Sequence, residues 1–123
     1  MRKGLLLGVC LLLAGCGGKP TADWIAQLRD KDPAQRLRAI KILGEKRSEL
    51  ATVVPALAQA LEDEDAFVRR DAARALGRIG PAAAAAVPAL RVAGRDRNQH
   101  VREAALEALR KVAPNLPPEG GKE

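Results

Sequence analysis

The chain has 123 residues, of which 47% are hydrophobic but only 2% aromatic. This length allows one small domain with a core of Leu, Val, Ile and Ala side chains rather than aromatic rings. The formal charge of +6, from 21 basic against 15 acidic side chains, taken alone favours an anionic partner. Two cysteines and one histidine, without the short spacings of metal ligands, argue against a four-ligand zinc site and a disulfide framework.

The start of the chain has the organisation of an export signal. Arg2 and Lys3 form a positive start, and an apolar run of twelve residues follows, Gly4–Gly15. A membrane-spanning helix needs roughly 20 apolar residues, whereas the apolar region of a signal peptide is about as long as this run. Cys10 lies within the run and is interpreted as an incidental apolar residue.

The end of the apolar run, Leu13-Ala14-Gly15-Cys16, resembles the lipobox of bacterial lipoprotein precursors. The resemblance implies that the Cys16 thiol receives a diacylglyceryl group, that residues 1–15 are removed, and that the new amine is acylated as well. We expect no cofactor besides this covalent lipid. Two alternatives stay open, a plain secretory signal with a free Cys16 thiol and an uncleaved N-terminal anchor. Neither gives a rationale for a single unpaired cysteine in an exported protein.

Removal of the signal peptide is expected to lower the net charge, and the lipid anchor indicates where the protein is located. The mature chain, which begins at Cys16, has 19 basic against 15 acidic side chains and a net charge of +4. Two or three acyl chains anchor a protein stably to a bilayer that it does not span. In Gram-negative lipoproteins an Asp after the lipidated cysteine often retains the protein at the inner membrane, and here that position is Gly17. We therefore expect a membrane-anchored protein of the cell envelope, on the outer membrane facing the periplasm if the host is Gram-negative.

The rest of the chain consists of three similar units. A shift of 33 residues aligns the sequence with itself twice without a gap. The aligned columns include Asp32, Asp65 and Asn98; Arg36, Arg69 and Arg102; Ala39, Ala72 and Ala105; and Leu43, Leu76 and Leu109. A period of this length is typical of a solenoid.

Each unit has the apolar periodicity of two helices. In the second unit a short helix is expected to begin at Pro55, because proline is tolerated in a first helical turn. A longer helix follows, with Asp65 as its N-cap and Gly80-Pro81 as its end. Its apolar residues share one face: Val68, Ala72, Ala75, Leu76 and Ile79.

These patterns predict an all-α fold, an armadillo-like α-solenoid of three helical hairpins. The predicted organisation is a signal peptide at 1–15, a lipidated anchor and short linker at 16–21, a repeat domain at 22–114 and a disordered tail at 115–123. Within the domain the units are expected at about 22–54, 55–87 and 88–114.

The string from Asp65 to Gly80, in which Val-Arg is followed by Ala-Ala and then Ala-Leu, resembles the short HEAT repeats first named for the phycobilisome lyases. This resemblance covers about residues 22–114 and is specific for the fold but silent on function. In such repeats an Asp in the turn and an Arg at the start of the second helix commonly bond between neighbouring units. The resemblance implies this architectural role for six residues of the chain: Asp32, Asp65, Asn98, Arg36, Arg69 and Arg102.

No group of residues indicates catalysis or metal binding, so we predict that the protein is not an enzyme. His100 has no serine or cysteine nucleophile at a matched position. The acidic run Glu62–Asp65 lacks the spaced oxygen ligands and the glycine of a calcium loop, and is interpreted as a solvated turn before a helix. Trp24 shares a column with Leu57 and Leu90 and is therefore predicted to lie in the core.

The outward positions of the second helices carry mixed charges, which is typical of a soluble face. We predict that this face binds a partner through Lys41, Arg70, Arg74, Arg78, Glu107 and Lys111. Nucleic acid is not expected, because an exported protein does not ordinarily meet chromosomal DNA and the chain has no aromatic platform for bases. Anionic lipid headgroups, envelope polyanions and an acidic protein are the candidate partners.

The leading functional hypothesis is a membrane-anchored module that binds or scaffolds another protein of the envelope. One alternative is an accessory subunit or lyase-like HEAT protein that assists an enzyme or binds a small ligand. Another alternative is a purely structural envelope protein.

Overall fold

The computed structural model describes residues 18–117, and this part of the chain is helical with connecting turns. The α-helices are α1 (Thr21–Gln27), α2 (Pro33–Gly44), α3 (Leu50–Ala60), α4 (Ala66–Ile79), α5 (Val87–Ala93) and α6 (Gln99–Val112). A 3₁₀ segment, Gly80–Ala86, precedes α5. The lipobox and Cys16 lie outside the described residues, as do residues 118–123. Between residues 18 and 117 no helix has the length and apolar character required to cross a membrane.

The helices pair into three hairpins that stack in chain order. The first hairpin consists of α1 and α2, the second of α3 and α4, and the third of α5 and α6. Helix α4 packs between α2 and α6, so the second helices form a continuous layer, and the shorter first helices flank it. The predicted α-solenoid is confirmed.

The core consists of the aliphatic columns that recur every 33 residues. The side chains of Ala39, Ala72 and Ala105 are all fully buried. Leu43 and Leu76 are fully buried as well. Small alanines at these positions allow the second helices to pack closely without aromatic rings.

At one column of the second helices, glycine allows neighbouring helices to approach even more closely. A Cβ atom added to Gly77 would lie 3.1 Å from the Cα atom of Ala108. At Gly44 an added Cβ would lie 3.0 Å from the Cβ of Ala75. The third hairpin holds the exposed Arg110 in this column, where no described helix packs beyond it.

Each second helix begins at a capping side chain, as predicted for Asp65. Its Oδ1 accepts hydrogen bonds from the backbone N–H groups of Phe67 and Val68, at 2.8 and 3.1 Å. Asp32 and Asn98 cap α2 and α6 in the same way. These bonds satisfy N–H groups that have no partner inside the helix. Helix α4 also ends where predicted, at Ile79, and is followed by Gly80, whose φ of +78° is rarely adopted by other residues.

The prediction that Pro55 begins a helix is wrong. Helix α3 begins at Leu50, and Pro55 is its sixth residue. The first turn forms ahead of the proline because Val53 is fully buried and its N–H donates to the Glu49 carbonyl at 2.9 Å. The boundary expected near residue 54 therefore falls inside a helix, whereas α5 begins at Val87, one residue before the boundary expected there.

Candidate interaction surface

Two buried ion pairs join neighbouring hairpins through their turns. Arg36 of α2 places its Nε 2.9 Å from Oδ2 of Asp63. Arg69 of α4 places its Nε 2.8 Å from Oδ2 of Asp96. Both arginine side chains are 7% exposed and both aspartates 12%. We call these two pairs the ladder. They fix the position of each hairpin on the next.

The acidic members of the ladder differ from those expected. Asp32, Asp65 and Asn98 were expected to bond across units, but their side chains cap the helices of their own units. The acid that reaches the neighbouring hairpin stands two residues earlier, at Asp63 and Asp96. The physical reason is that the capping oxygen is occupied by the free N–H groups of its helix, which leaves the preceding aspartate to face the arginine.

The arginines of this column also close the turns of their own units. Each donates an Nη1 hydrogen bond of 2.7 or 2.8 Å to the carbonyl six residues earlier. Each turn aspartate in turn accepts a 2.9 Å bond from the N–H two residues later. The donors are Arg36, Arg69 and Arg102, and the aspartates are Asp30, Asp63 and Asp96. Arg102 forms only the bond within its unit, because no described hairpin follows it.

The ion pairs of the ladder affect the pKa of one carboxyl group, that of Asp96. The hydrogen bond from Arg69 lowers the pKa of Asp96 below its ordinary value, against the opposing effect of burial. The backbone N–H of Asn98 and the charge of Arg97 act in the same direction as Arg69. Asp96 is therefore a carboxylate at neutral pH.

The six residues predicted to bind a partner lie together on the second helices, and we call them the candidate binding face. An open groove of about 670 Å³ between α2 and α4 is lined by four of them: Lys41, Arg70, Arg74 and Arg78. A second groove of about 490 Å³, between α4 and α6, is lined by Arg74, Arg78, Glu107 and Lys111. Arg74 and Arg78 line both grooves and form the ridge between them.

The charges of this face are unequally neutralised. Arg70 pairs with Asp71 at 2.9 Å, and Glu107 pairs with Arg110 at 2.8 Å. The bond from Arg110 lowers the pKa of Glu107. The side chains of Arg74 and Arg78 form no ion pair with a residue between 18 and 117, and both are exposed. Lys41 is likewise exposed and forms no ion pair with a described residue, so three cations of the candidate binding face lack a paired acid among the described residues, and two of them form the ridge.

Several polar groove residues lie outside the predicted set, among them Arg38, His100 and Arg110. Arg38 lies three residues before Lys41 on α2, and Arg110 lies three residues after Glu107 on α6, so helical spacing could have placed both on this surface. His100 is exposed in the first turn of α6. Within residues 18–117 no group of three or more His, Cys, Asp or Glu side chains could hold a metal ion.

Trp24 is only half-buried, so the prediction of a core position holds for one side of its ring. That side packs against the hydrophobic core. Lys19 Nζ lies 4.3 Å from the ring centroid, and Arg38 Cζ lies 5.7 Å from it. Both distances are those of cation–π contacts. The indole is therefore held between the core and two basic side chains at the N-terminal end of the stack.

Residues 21–110 match a family model described as HEAT repeats. This range begins with α1 and reaches into the last turn of α6. A search of curated proteins found no match.

Proposed function

Because the chain belongs to the HEAT-repeat family, whose members are typically protein-interaction or scaffold modules, we propose that it is a membrane-anchored module that binds or scaffolds a protein of the bacterial cell envelope. The observation that carries this proposal is the ridge of Arg74 and Arg78, which lies between two adjacent grooves and forms no ion pair within residues 18–117. HEAT repeats are generally non-catalytic, and the role that we propose is binding alone.

The chemistry of the ridge favours an acidic protein segment. A guanidinium group binds a carboxylate through two parallel hydrogen bonds, which gives both affinity and orientation. Arg74 and Arg78 are four residues apart on α4, so both project from one face of the helix. A partner helix with carboxylates at matching spacing would contact both arginines while its flank lies in one of the grooves.

Both grooves are open to solvent, which supports a protein partner over a small ligand. A small-molecule site usually encloses most of its ligand and fixes it with a few convergent polar groups. The grooves beside Arg74 and Arg78 are bounded by two helices each, with solvent on the remaining side. A protein segment can cover such a surface along its length, whereas a small molecule would remain largely exposed there.

Charge reversal on the ridge tests the proposal. The protein purified from membranes is used to capture partners from a detergent extract of the envelope, and binding is titrated to saturation. The variant Arg74→Glu/Arg78→Glu is compared with Lys31→Glu/Arg97→Glu, which reverses two exposed charges in the turns. Loss of an arginine that dominates an interface typically costs about 2 kcal/mol or more, so we expect at least a 30-fold weaker capture by the ridge variant. Equal capture by both variants, or no saturable partner, contradicts the proposal.

The anchor is tested separately, by replacing Cys16 with serine. The side chain of serine cannot receive the thioether-linked lipid, so the variant is expected to accumulate as a precursor or to leave the membrane fraction. Fractionation and mass spectrometry of the wild-type and Cys16→Ser proteins measure both properties. Unchanged size and unchanged membrane retention would refute lipidation.

A further inference from the structure

The first hairpin exposes part of the surface that the later hairpins bury. Three columns of the repeat are buried in both the second and the third hairpin. They hold Leu57 and Leu90, Val68 and Val101, and Ala75 and Ala108. The first hairpin holds Trp24, Gln35 and Ile42 at these positions, and all three are half-buried. Within residues 18–117 no helix packs over this end of the stack. We call this surface the N-terminal end face.

The N-terminal end face combines an indole ring with basic groups. Lys19 and Arg38 lie over Trp24, and both side chains are exposed. Neither cation forms an ion pair with a described residue, although Lys19 donates a hydrogen bond to Gln27. The nearby acid on α1, Asp23, is exposed as well. Tryptophan favours the headgroup region of a bilayer, because one part of its ring is apolar and its N–H is polar. Basic side chains are attracted to anionic headgroups in the same region.

The proposed lipid anchor places this face close to the membrane. Cys16 precedes Pro20 by four residues, and Pro20 is the N-cap of α1. Four residues span at most about 14 Å when fully extended. The attraction between basic side chains and an anionic surface extends over about 10 Å. A chain tethered at Cys16 therefore holds the N-terminal end face within or near this range.

We propose that the N-terminal end face docks on an anionic phospholipid surface, with Trp24 at headgroup level and Lys19 and Arg38 in contact with the phosphate groups. The inference rests on the proposed function in one respect, since the anchor at Cys16 supplies the tether. Docking fixes the orientation of the stack. The end face lies on the membrane, and the third hairpin points away from it.

Fluorescence of Trp24 tests the docking directly, because it is the single tryptophan of the chain. The protein purified from membranes is incorporated into vesicles of phosphatidylcholine, with or without phosphatidylglycerol. In the anionic vesicles we expect the emission maximum of Trp24 to shift to shorter wavelength, quenching by aqueous acrylamide to fall and quenching by lipids with brominated chains to rise. In neutral vesicles we expect none of these changes. High salt is expected to reverse them, because it screens the attraction.

A pair of matched variants distinguishes docking through this face from a general effect of the protein's positive charge. Lys19→Ala/Arg38→Ala removes the two cations beside Trp24. Arg95→Ala/Arg97→Ala removes two exposed cations from the turn of the third hairpin. Each basic residue near an anionic surface changes binding about five-fold, so the first variant is expected to dock about 25-fold more weakly and the second to dock like the wild type.

Three outcomes would overturn the inference. One is an identical Trp24 signal in neutral and anionic vesicles, another is an equal loss in both variants, and the third is a signal that depends on the density of protein per vesicle, which would indicate contact with a second copy. Failure of the anchor is a different result, since the protein would then separate from the vesicles on flotation. The Trp24 signal on anionic vesicles added in excess would still decide whether the face docks.

Discussion

Arg69 satisfies four hydrogen-bond acceptors from a nearly buried position. Its Nη1 donates to the carbonyls of Asp63 and Glu64 at 2.7 and 3.1 Å. Its Nε and Nη2 donate to the two carboxylate oxygens of Asp96 at 2.8 and 3.0 Å. One side chain thus closes the turn of the second hairpin and joins it to the third. The charge is fully compensated only while all of these partners are present.

Removal of Arg69 should therefore be costly. We expect Arg69→Ala to lower the free energy of unfolding by about 3–5 kcal/mol, because it leaves the Asp96 carboxylate buried without its cation. Arg102 occupies the same column, but within residues 18–117 it bonds only to the Asp96 carbonyl. Arg102→Ala is therefore the matched control, with an expected loss of about 1–2 kcal/mol. Urea unfolding of both variants measures the difference, and equal losses would show that the contact between hairpins contributes nothing.

The lowered pKa of Asp96 predicts a dependence of stability on pH. The ordinary value is 3.8, and the folded protein holds the group below it. The stabilisation is therefore fully present above the unfolded pKa and is lost as the pH falls through the folded one. We expect Asp96→Asn to be less stable than the wild type at pH 7, with a gap that narrows in acid. Urea unfolding at a series of pH values tests this, and a gap that stays constant below pH 3.8 would contradict it.

At this scale the sequence predicts the arginines of the ladder but not their partners. The column of Asp63 is aspartate in all three units and that of Asp65 ends in Asn98, which can also cap a helix, so periodicity alone does not tell which column faces the arginine. The choice depends on the turn geometry, in which one carboxylate caps its helix and the other points to the neighbouring hairpin. The candidate binding face is easier to predict, because helical spacing alone places Arg74 and Arg78 on one face of α4. Whether they are neutralised depends on side-chain contacts that spacing does not describe.

At the scale of the helix, α3 contains a feature that opposes its own formation. Pro55 stands in the sixth position, where it cannot donate to the carbonyl of Ala51. The sequence suggested a helix start because Pro88 occupies the matching position in the third unit and does lie in the first turn of α5. The extra turn of α3 forms because Val53 and Val54 are buried. Burial of apolar side chains thus overrides the local preference of proline.

This conflict predicts a stabilising substitution. Pro55→Ala restores a backbone hydrogen bond within α3 and removes the cost of an interior proline, about 3 kcal/mol in an unconstrained helix. We expect the free energy of unfolding to rise by about 1–3 kcal/mol. The matched control is Pro88→Ala, which changes a first-turn position and should alter stability by about 0.5 kcal/mol or less. Thermal unfolding of the two variants checks the prediction, and a Pro55→Ala protein that melts below the wild type would contradict it.

At the scale of the whole molecule, stability depends on the number of stacked hairpins. Solenoids generally need at least three repeats, because a single hairpin cannot bury its apolar face alone. The second hairpin is enclosed on both sides, since Gly44 packs against Ala75 and Gly77 packs against Ala108. Within the part of the chain that the structure describes, each terminal hairpin has such a neighbour on one side only. We therefore expect the three hairpins to unfold as one unit.

Truncation tests this cooperativity. A chain that ends at Ala86 lacks α5, α6 and Asp96, so it exposes the α4 surface around Gly77 and leaves Arg69 without its carboxylate. We expect it to lose most of its helical circular dichroism. The control is a chain that ends at Pro117, which keeps every described helix and should retain the wild-type spectrum. A two-hairpin chain that stays helical and melts cooperatively would refute the prediction.

The ladder also gives the stack a direction. This direction determines which kinds of insertion can add a hairpin to such a protein. Between hairpins, each arginine bonds forward along the chain, from Arg36 to Asp63 and from Arg69 to Asp96, and among residues 18–117 neither bonds to the hairpin before its own. A duplicate of residues 63–95 placed after residue 95 would carry both an aspartate for the arginine before it and an arginine for the aspartate after it. Gene duplication can therefore add a hairpin without compensating mutations elsewhere, whereas an inverted segment would find no partner on either side.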